Sequence, residues 1–341
     1  MQSVILVCQI LTGFLSGRFF LCYFRRIKTG KLDFCVGDRF RQDNSEPKFG
    51  GVAIAFTLVL GICIGVGMSG FSGSNYTYSL PLVFLGIALA LMLTAMGSFQ
   101  DYMKETERGI GFRGRYLVAG EYILFVGFLL LKQFFGFRSQ YVLLPFHLGF
   151  INFGRLYIPL VAGFMTLTLN LVKIHDCQGG ATKNSVQGLC TLDCLIFALG
   201  ISAGGTAVGI QNEGMLFAVC TAGACSGFLI WNISPSKMYT GESGGLLLGG
   251  LCAILPVLSG MEFVFFISGI VFIIDGVCAL IQYLVFKLRK KLVFKGLTLH
   301  GHLKALGWSD YRVMGLSGLI SVLCSAFTIW FFVYSGKIII K

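Results

Sequence analysis

The sequence predicts an all-α polytopic membrane protein with about ten transmembrane helices and both termini outside. Three observations carry this reading. Hydrophobic residues make up 55% of the 341-residue chain and charged residues only 12%, a balance foreign to soluble domains. Apolar runs of roughly 17–25 residues recur along the whole length, each long enough to cross about 30 Å of hydrocarbon as a helix. The basic residues are also concentrated in alternate connections between those runs, with Arg138 in an outward one.

The spans fall near 3–24, 51–70, 79–98, 115–136, 154–172, 187–208, 215–234, 244–260, 263–286 and 313–335. The first lacks a small-residue cleavage site and runs into Arg25-Arg26, which suits a retained helix rather than a signal peptide. The second opens after Pro47 with Gly50-Gly51, a turn feeding a helix start. The third ends at Gln100-Asp101-Tyr102-Met103-Lys104, and the fourth carries Glu121. The fifth ends at Asn170. The sixth holds Asp193, with Cys190 and Cys194 one turn apart. The seventh closes on Trp231-Asn232, and the eighth opens with Gly244-Gly245. The ninth carries Asp275 and Gln282, two turns apart on one helix face. The tenth follows Gly307-Trp308-Ser309-Asp310. Acids inside spans are costly, so Glu121, Asp193 and Asp275 are expected to be buried and partnered. Most of the 12 cysteines lie in spans, where they act as small hydrophobes, and none shows metal-ligand spacing. Many of the 46 glycines also fall in spans, as close helix packing requires. With no repeat and no soluble linker, residues 1–341 form one integral-membrane domain.

The net charge of +12 invites a nucleic-acid reading, and its placement removes it. With the N-terminus outside, the inward segments are 25–50, 99–114, 173–186, 235–243 and 287–312. They hold most of the 27 lysines and arginines, while segments 71–78, 209–214 and 261–262 hold none. This is the positive-inside rule.

The inward segments also carry the chemistry. Lys287 to Arg312 packs Lys287, Arg289, Lys290, Lys291 and Lys295 together with His300 and His302 between two apolar spans. Lipid cannot satisfy such a backbone, so it lies at the membrane face or lines a cavity. His300-Gly301-His302 followed by Gly307-Trp308-Ser309-Asp310 resembles the phospho-N-acetylmuramoyl-pentapeptide transferases of bacterial cell-wall synthesis. These are polyprenyl-phosphate sugar-1-phosphate transferases. That family has three consecutive histidines and then Gly-Trp-Ser-Glu; Gly301 and Asp310 are the departures here.

The resemblance extends through the other inward segments. Pro47 and Gly50-Gly51 match a nucleotide-binding turn whose basic and threonine positions are Asp43 to Glu46 here, leaving Lys48 as the available cation. Asp101, Tyr102 and Lys104 match Asp-Asp-Tyr-x-Lys, with Gln100 in the first acidic place; a carboxamide cannot take a proton or neutralise a divalent cation. Asn170, Asp176 and Gly180 match Asn-Ala-Val-Asn-Leu-Thr-Asp-Gly-Leu-Asp-Gly-Leu, with Lys173 for the second asparagine and Gly179 for the second aspartate. Lys173 could contact a diphosphate or pair internally with Asp176. His175 has no family counterpart and reads as a loop histidine. Asn232, Pro235, Gly241 and Leu246 match the frame around the fourth inward segment. There Tyr239 keeps the aromatic position used to stack uracil, Glu242 replaces the metal-binding aspartate, and Gly245 replaces a serine. Asp275 and Gln282 stand for a Glu and a Gln.

The resemblance implies transfer of phospho-MurNAc-pentapeptide from a UDP-linked donor to undecaprenyl phosphate, forming lipid I for peptidoglycan. It assigns catalysis to Asp101, Asp176, Glu242, His300 and His302, and substrate binding to Lys48, Lys104, Asn170, Lys173 and Tyr239. Mg2+ is expected on Asp101 and Glu242. The expected setting is the inner (plasma) membrane, with a periplasmic position for both termini and cytoplasmic site loops. The expected partners are undecaprenyl phosphate, the UDP-sugar, membrane lipid and a homodimer. The competing readings are a degenerate paralogue that binds polyprenyl phosphate or a membrane partner without turnover, and a transporter drawing on Glu121, Asp193 and Asp275.

Overall fold

A computed structural model describes residues 2–32, 49–71, 78–106, 114–137, 141–143, 150–176, 185–209 and 212–339. The elements, in order, are α1 (Gln2–Leu32), α2 (Gly50–Phe71), α3 (Leu80–Thr106) and α4 (Gly114–Phe134). A hairpin of β1 (Tyr141–Leu143) and β2 (Phe150–Asn152) follows, then α5 (Tyr157–His175), α6 (Leu189–Ala207), α7 (Glu213–Asn232) and α8 (Gly241–Ser259). The chain closes with α9 (Val264–Ser268), α10 (Ile270–Arg289), α11 (Leu299–Ala305) and α12 (Asp310–Ile339). Ten of these helices are long and apolar enough to cross a membrane, and the chain is a multi-pass membrane protein.

Two details differ from the expectation of ten plain spans. The ninth is broken: α9 stops at Gly269, where an added Cβ would lie 2.6 Å from the Phe265 carbonyl, and α10 restarts at once. The fourth connection, between α4 and α5, contributes two short antiparallel strands, the only strands among the described residues.

The helices pack around α8, in which every residue is buried. Its neighbours include α2, α3, α5, α6 and α7. A helix apolar on all sides is stable only where other helices cover all sides. The peripheral helices instead turn large apolar side chains outward, among them Phe84, Ile123, Leu280 and Leu323, the surface expected against lipid. Small residues set the approach of the inner helices: Gly13 and Gly227 bring α1 onto α7 backbone to backbone, and Gly249 lets α8 rest on Leu169 of α5.

Candidate active site

The site is built at the start of α8. The N–H groups of Glu242 and Ser243 donate to the two carboxylate oxygens of Asp101, at 2.9 and 3.0 Å. The first N–H groups of a helix lack partners inside it and carry partial positive charge, so an acid at the end of α3 is drawn to them. The contact is possible because Gly97, one turn earlier, presents no Cβ; one there would collide with the backbone of Ser243. Gly51 does the same on the other side, where a Cβ would collide with Ser243 and Gly244. The N–H groups of Gly50 and Gly51 donate to the carbonyls of Tyr239 and Thr240, both at 3.0 Å. Two helix N-termini, those of α2 and α8, therefore meet at one place, an arrangement suited to anions.

The end of α5 meets them. Asp176 accepts the Thr240 hydroxyl at 3.0 and 3.2 Å. Lys173 Nζ lies 3.3 Å from Glu242 Oε2, so the ion pair it forms is with the acid of α8. One turn back on the same face, Asn170 donates to Glu121 Oε2 of α4 at 2.6 Å. The other oxygen, Glu121 Oε1, is buried and has no hydrogen-bond partner. Gly245 leaves a notch here, where an added Cβ would make ordinary contact with Asp176 Oδ2 at 3.4 Å and Lys173 Cγ at 3.7 Å.

A second polar cluster adjoins the first through the Asp176 neighbour His175. His175 is not a loop histidine: it is the last residue of α5 and only 2% exposed. Its Nδ1 lies 2.6 Å from Asp275 Oδ2 and its Nε2 lies 3.0 Å from Asp193 Oδ2. The same Asp275 oxygen is 2.6 Å from His300 Nδ1, and the Leu299 N–H donates to the other at 2.8 Å. Thr298 Oγ1 lies 3.1 Å from His300 Nε2. Both nitrogens of His300 are thus engaged inside the protein. Ser317 and Ser321 of α12 donate to the two oxygens of Asp193 at 2.6 and 2.8 Å. The three acids within spans are accordingly buried and bonded, as expected.

The seven-residue spacing on α10 acquires a purpose. Gln282 accepts the N–H groups of Val293 and Phe294 at 3.1 and 3.0 Å and donates to the Phe294 carbonyl at 3.0 Å. Gln282 and Asp275 together lay the returning polar segment back along α10. Lys295 N–H donates to His302 Nδ1 at 3.1 Å, and His302 remains partly exposed while His300 is buried. Gly301 packs against Gly296, whose Cβ would collide with the Gly301 backbone.

The structure thus brings Asp101, Asp176, Glu242, Lys173, Asn170 and Tyr239 to one end of the bundle, with the His300–His302 helix beside them. Lys48, Gly179 and the side chain of Lys104 lie outside the described residues. Sequence reasoning missed His175 as a site neighbour and Glu121 as a contact of Asn170. The signal for both was a charged or titratable residue on the buried face of a helix that ends at the site.

A family model for glycosyl transferase family 4 matches residues 81–260. Curated relatives match nearly end to end. The phospho-N-acetylmuramoyl-pentapeptide-transferase of Shouchella clausii is 27% identical over 322 residues, covering 94% of each chain. That of Oceanobacillus iheyensis is 29% identical over 322 residues, again covering 94% of each. That of Bacillus subtilis is 26% identical over 328 residues, covering 92% of this chain and 94% of the relative.

Proposed function

The chain belongs to glycosyl transferase family 4, and from that footing we propose that it transfers phospho-MurNAc-pentapeptide from a UDP-linked donor to undecaprenyl phosphate, releasing UMP and forming lipid I. The observation that carries this reading is the convergence of the ends of α3 and α5 on the α8 start: Asp101 caps it, Asp176 holds Thr240, and Lys173 pairs with Glu242. Two helix N-termini and the Lys173 ammonium are the positive groups there, and because carboxylates outnumber the ammonium a diphosphate needs a bound cation as well. Lys48 and Lys104 enter this reading only through the family motifs they stand in, while Tyr239 offers a ring for the base and Asn170 holds the α4 acid in place. The acceptor needs little help to ionise, since a phosphate monoester has a second pKa near 6. The protein's part is to align the acceptor phosphate with the sugar-linked phosphorus and to offset charge.

The residues fit magnesium. Asp101 and Glu242 supply hard oxygen donors at the α8 start, and Glu121 Oε1, on the acid that Asn170 holds, is buried without a hydrogen-bond partner, the kind of orphan that a cation or water explains. Asp101 and Glu242 would hold the ion; both Asp101 oxygens already accept N–H groups, and each keeps a second lone pair. When bound, magnesium would neutralise charge on the transferring phosphates.

The test is synthesis of a lipid-linked product by purified protein given UDP-MurNAc-pentapeptide, undecaprenyl phosphate and Mg2+. Turnover that disappears in Glu242→Ala is expected. The Lys173–Glu242 pair favours a second reading, binding without turnover, because the ammonium competes with a metal for that acid. No product from the wild type, from Lys173→Asn or from Gln100→Asp, together with retained undecaprenyl phosphate binding, would establish the second reading instead.

A further inference from the structure

The cluster around Asp275 is complete within itself. Its groups come from five helices: His175 from α5, Asp193 from α6, Asp275 from α10, His300 from α11, and Ser317 and Ser321 from α12. The two imidazoles lie 5.2 Å apart, ring centre to ring centre, and turn their Nδ1 atoms to the same carboxylate oxygen. All four of their nitrogens have oxygen partners within 3.1 Å. Each ring nitrogen is therefore turned toward a protein oxygen.

What they hold is informative. His175 is the residue before Asp176, which belongs to the α8 site through Thr240. His300 sits in the first turn of α11, seven residues long, whose partly exposed face carries His302. Beyond this cluster, α11 is anchored by Lys304, which reaches the Ser185 carbonyl at 2.6 Å and Asp310 at 2.8 Å. The imidazole–carboxylate–imidazole bridge is therefore the link that registers α11 against the end of α5.

We infer that His175 and His300 are positioning residues joined through Asp275 into one clasp, and that the clasp places His302 beside Asp176. Neither ring touches substrate. This rests on the transferase reading for its kinetic consequence but not for its structural one. Fixing a short helix by two buried rings restricts the spread of positions open to His302, and misplacement of a contact group by about 1 Å costs up to about 10²-fold in rate.

The chain has 4 histidines, few enough to assign in a 15N-histidine spectrum of detergent-solubilised protein. In His175→Asn and in His300→Asn the His302 nitrogen signals are expected to move, and donor KM to rise by a similar factor in both. The double variant is expected to be no worse than either single, because residues acting as one unit are not additive. Addition of UDP to the wild type should shift His302 and leave His175 and His300 in place. His175→Gln serves as a second variant if His175→Asn does not yield monodisperse protein. A His302 signal unmoved by changes at His175, additive kinetic losses, or UDP shifts on His300 as large as those on His302 would each overturn the clasp. A wild type without turnover but with His302 still coupled to His175 would sink the transferase reading alone.

Discussion

At the scale of single residues, the distribution of charge at the two ends of the bundle is unequal. At the α8 start, carboxylates outnumber the ammonium of Lys173, and helix N-termini and backbone N–H groups carry part of the load. At the opposite end, Glu262, between α8 and α9, accepts the Tyr157 hydroxyl at 2.9 Å and is 6% exposed, with its second oxygen lacking a hydrogen-bond partner. Burial pushes its carboxyl above the ordinary value, against the opposing pull of Tyr157 and Lys132. The unfolded chain then ionises first as pH rises, so the folded state gives up stability between the ordinary glutamate value and the raised one. Glu262→Gln is expected to melt higher than the wild type at neutral pH. The gap should close as pH falls below about 4.3, where both states hold the proton. Thermal melts in detergent across that range check it; a gap that widens on acidification contradicts the assignment.

At the scale of elements, the site depends on how closely α2 and α3 approach α8. Gly51 and Gly97 face backbone rather than side chains, and backbone cannot turn aside to admit a methyl group. Gly97→Ala is expected to cost about 1–3 kcal/mol by overpacking and to detach Asp101 from the helix start. Gly127→Ala in α4, where an added Cβ meets nothing within 4 Å, should be neutral or raise stability by about 0.5–1 kcal/mol through helix propensity. Fluorescence-detected gel filtration after a heat step compares the two; equal losses would mean that close packing at Gly97 is not what holds the α8 start. The same reasoning applies to Gly50 and Gly51, which both approach backbone at the start of α8 and hydrogen-bond to it.

At the scale of the whole molecule, the helix ends that flank the polar segments gather at one end, where α2, α3 and the end of α5 meet the α8 start and His175 meets His300 of α11. The expected orientation puts that end in the cytosol. Fusing green fluorescent protein after Lys291 should give fluorescent cells, and fusion after Gly209 should not, because that reporter fails to fold once exported unfolded. The reverse pattern would mean that the charge asymmetry misled the orientation.

The sequence by itself determined the number of spans, the five polar segments and most of the residues that gather at the α8 start. The spans and polar segments follow from apolar run length and the clustering of cations between runs, and the site residues follow from motifs that resemble those of a known transferase family. It could not determine which charged groups satisfy one another, because a buried acid is partnered through space by whatever the packing brings within about 3 Å. Hence Lys173 falls to Glu242 rather than Asp176, Asp101 to a helix start 141 residues away, and His175 to an aspartate 100 residues away. Only the tertiary structure makes those pairings, since they arise where helices distant in sequence end together in a medium that offers no water to replace a missing partner.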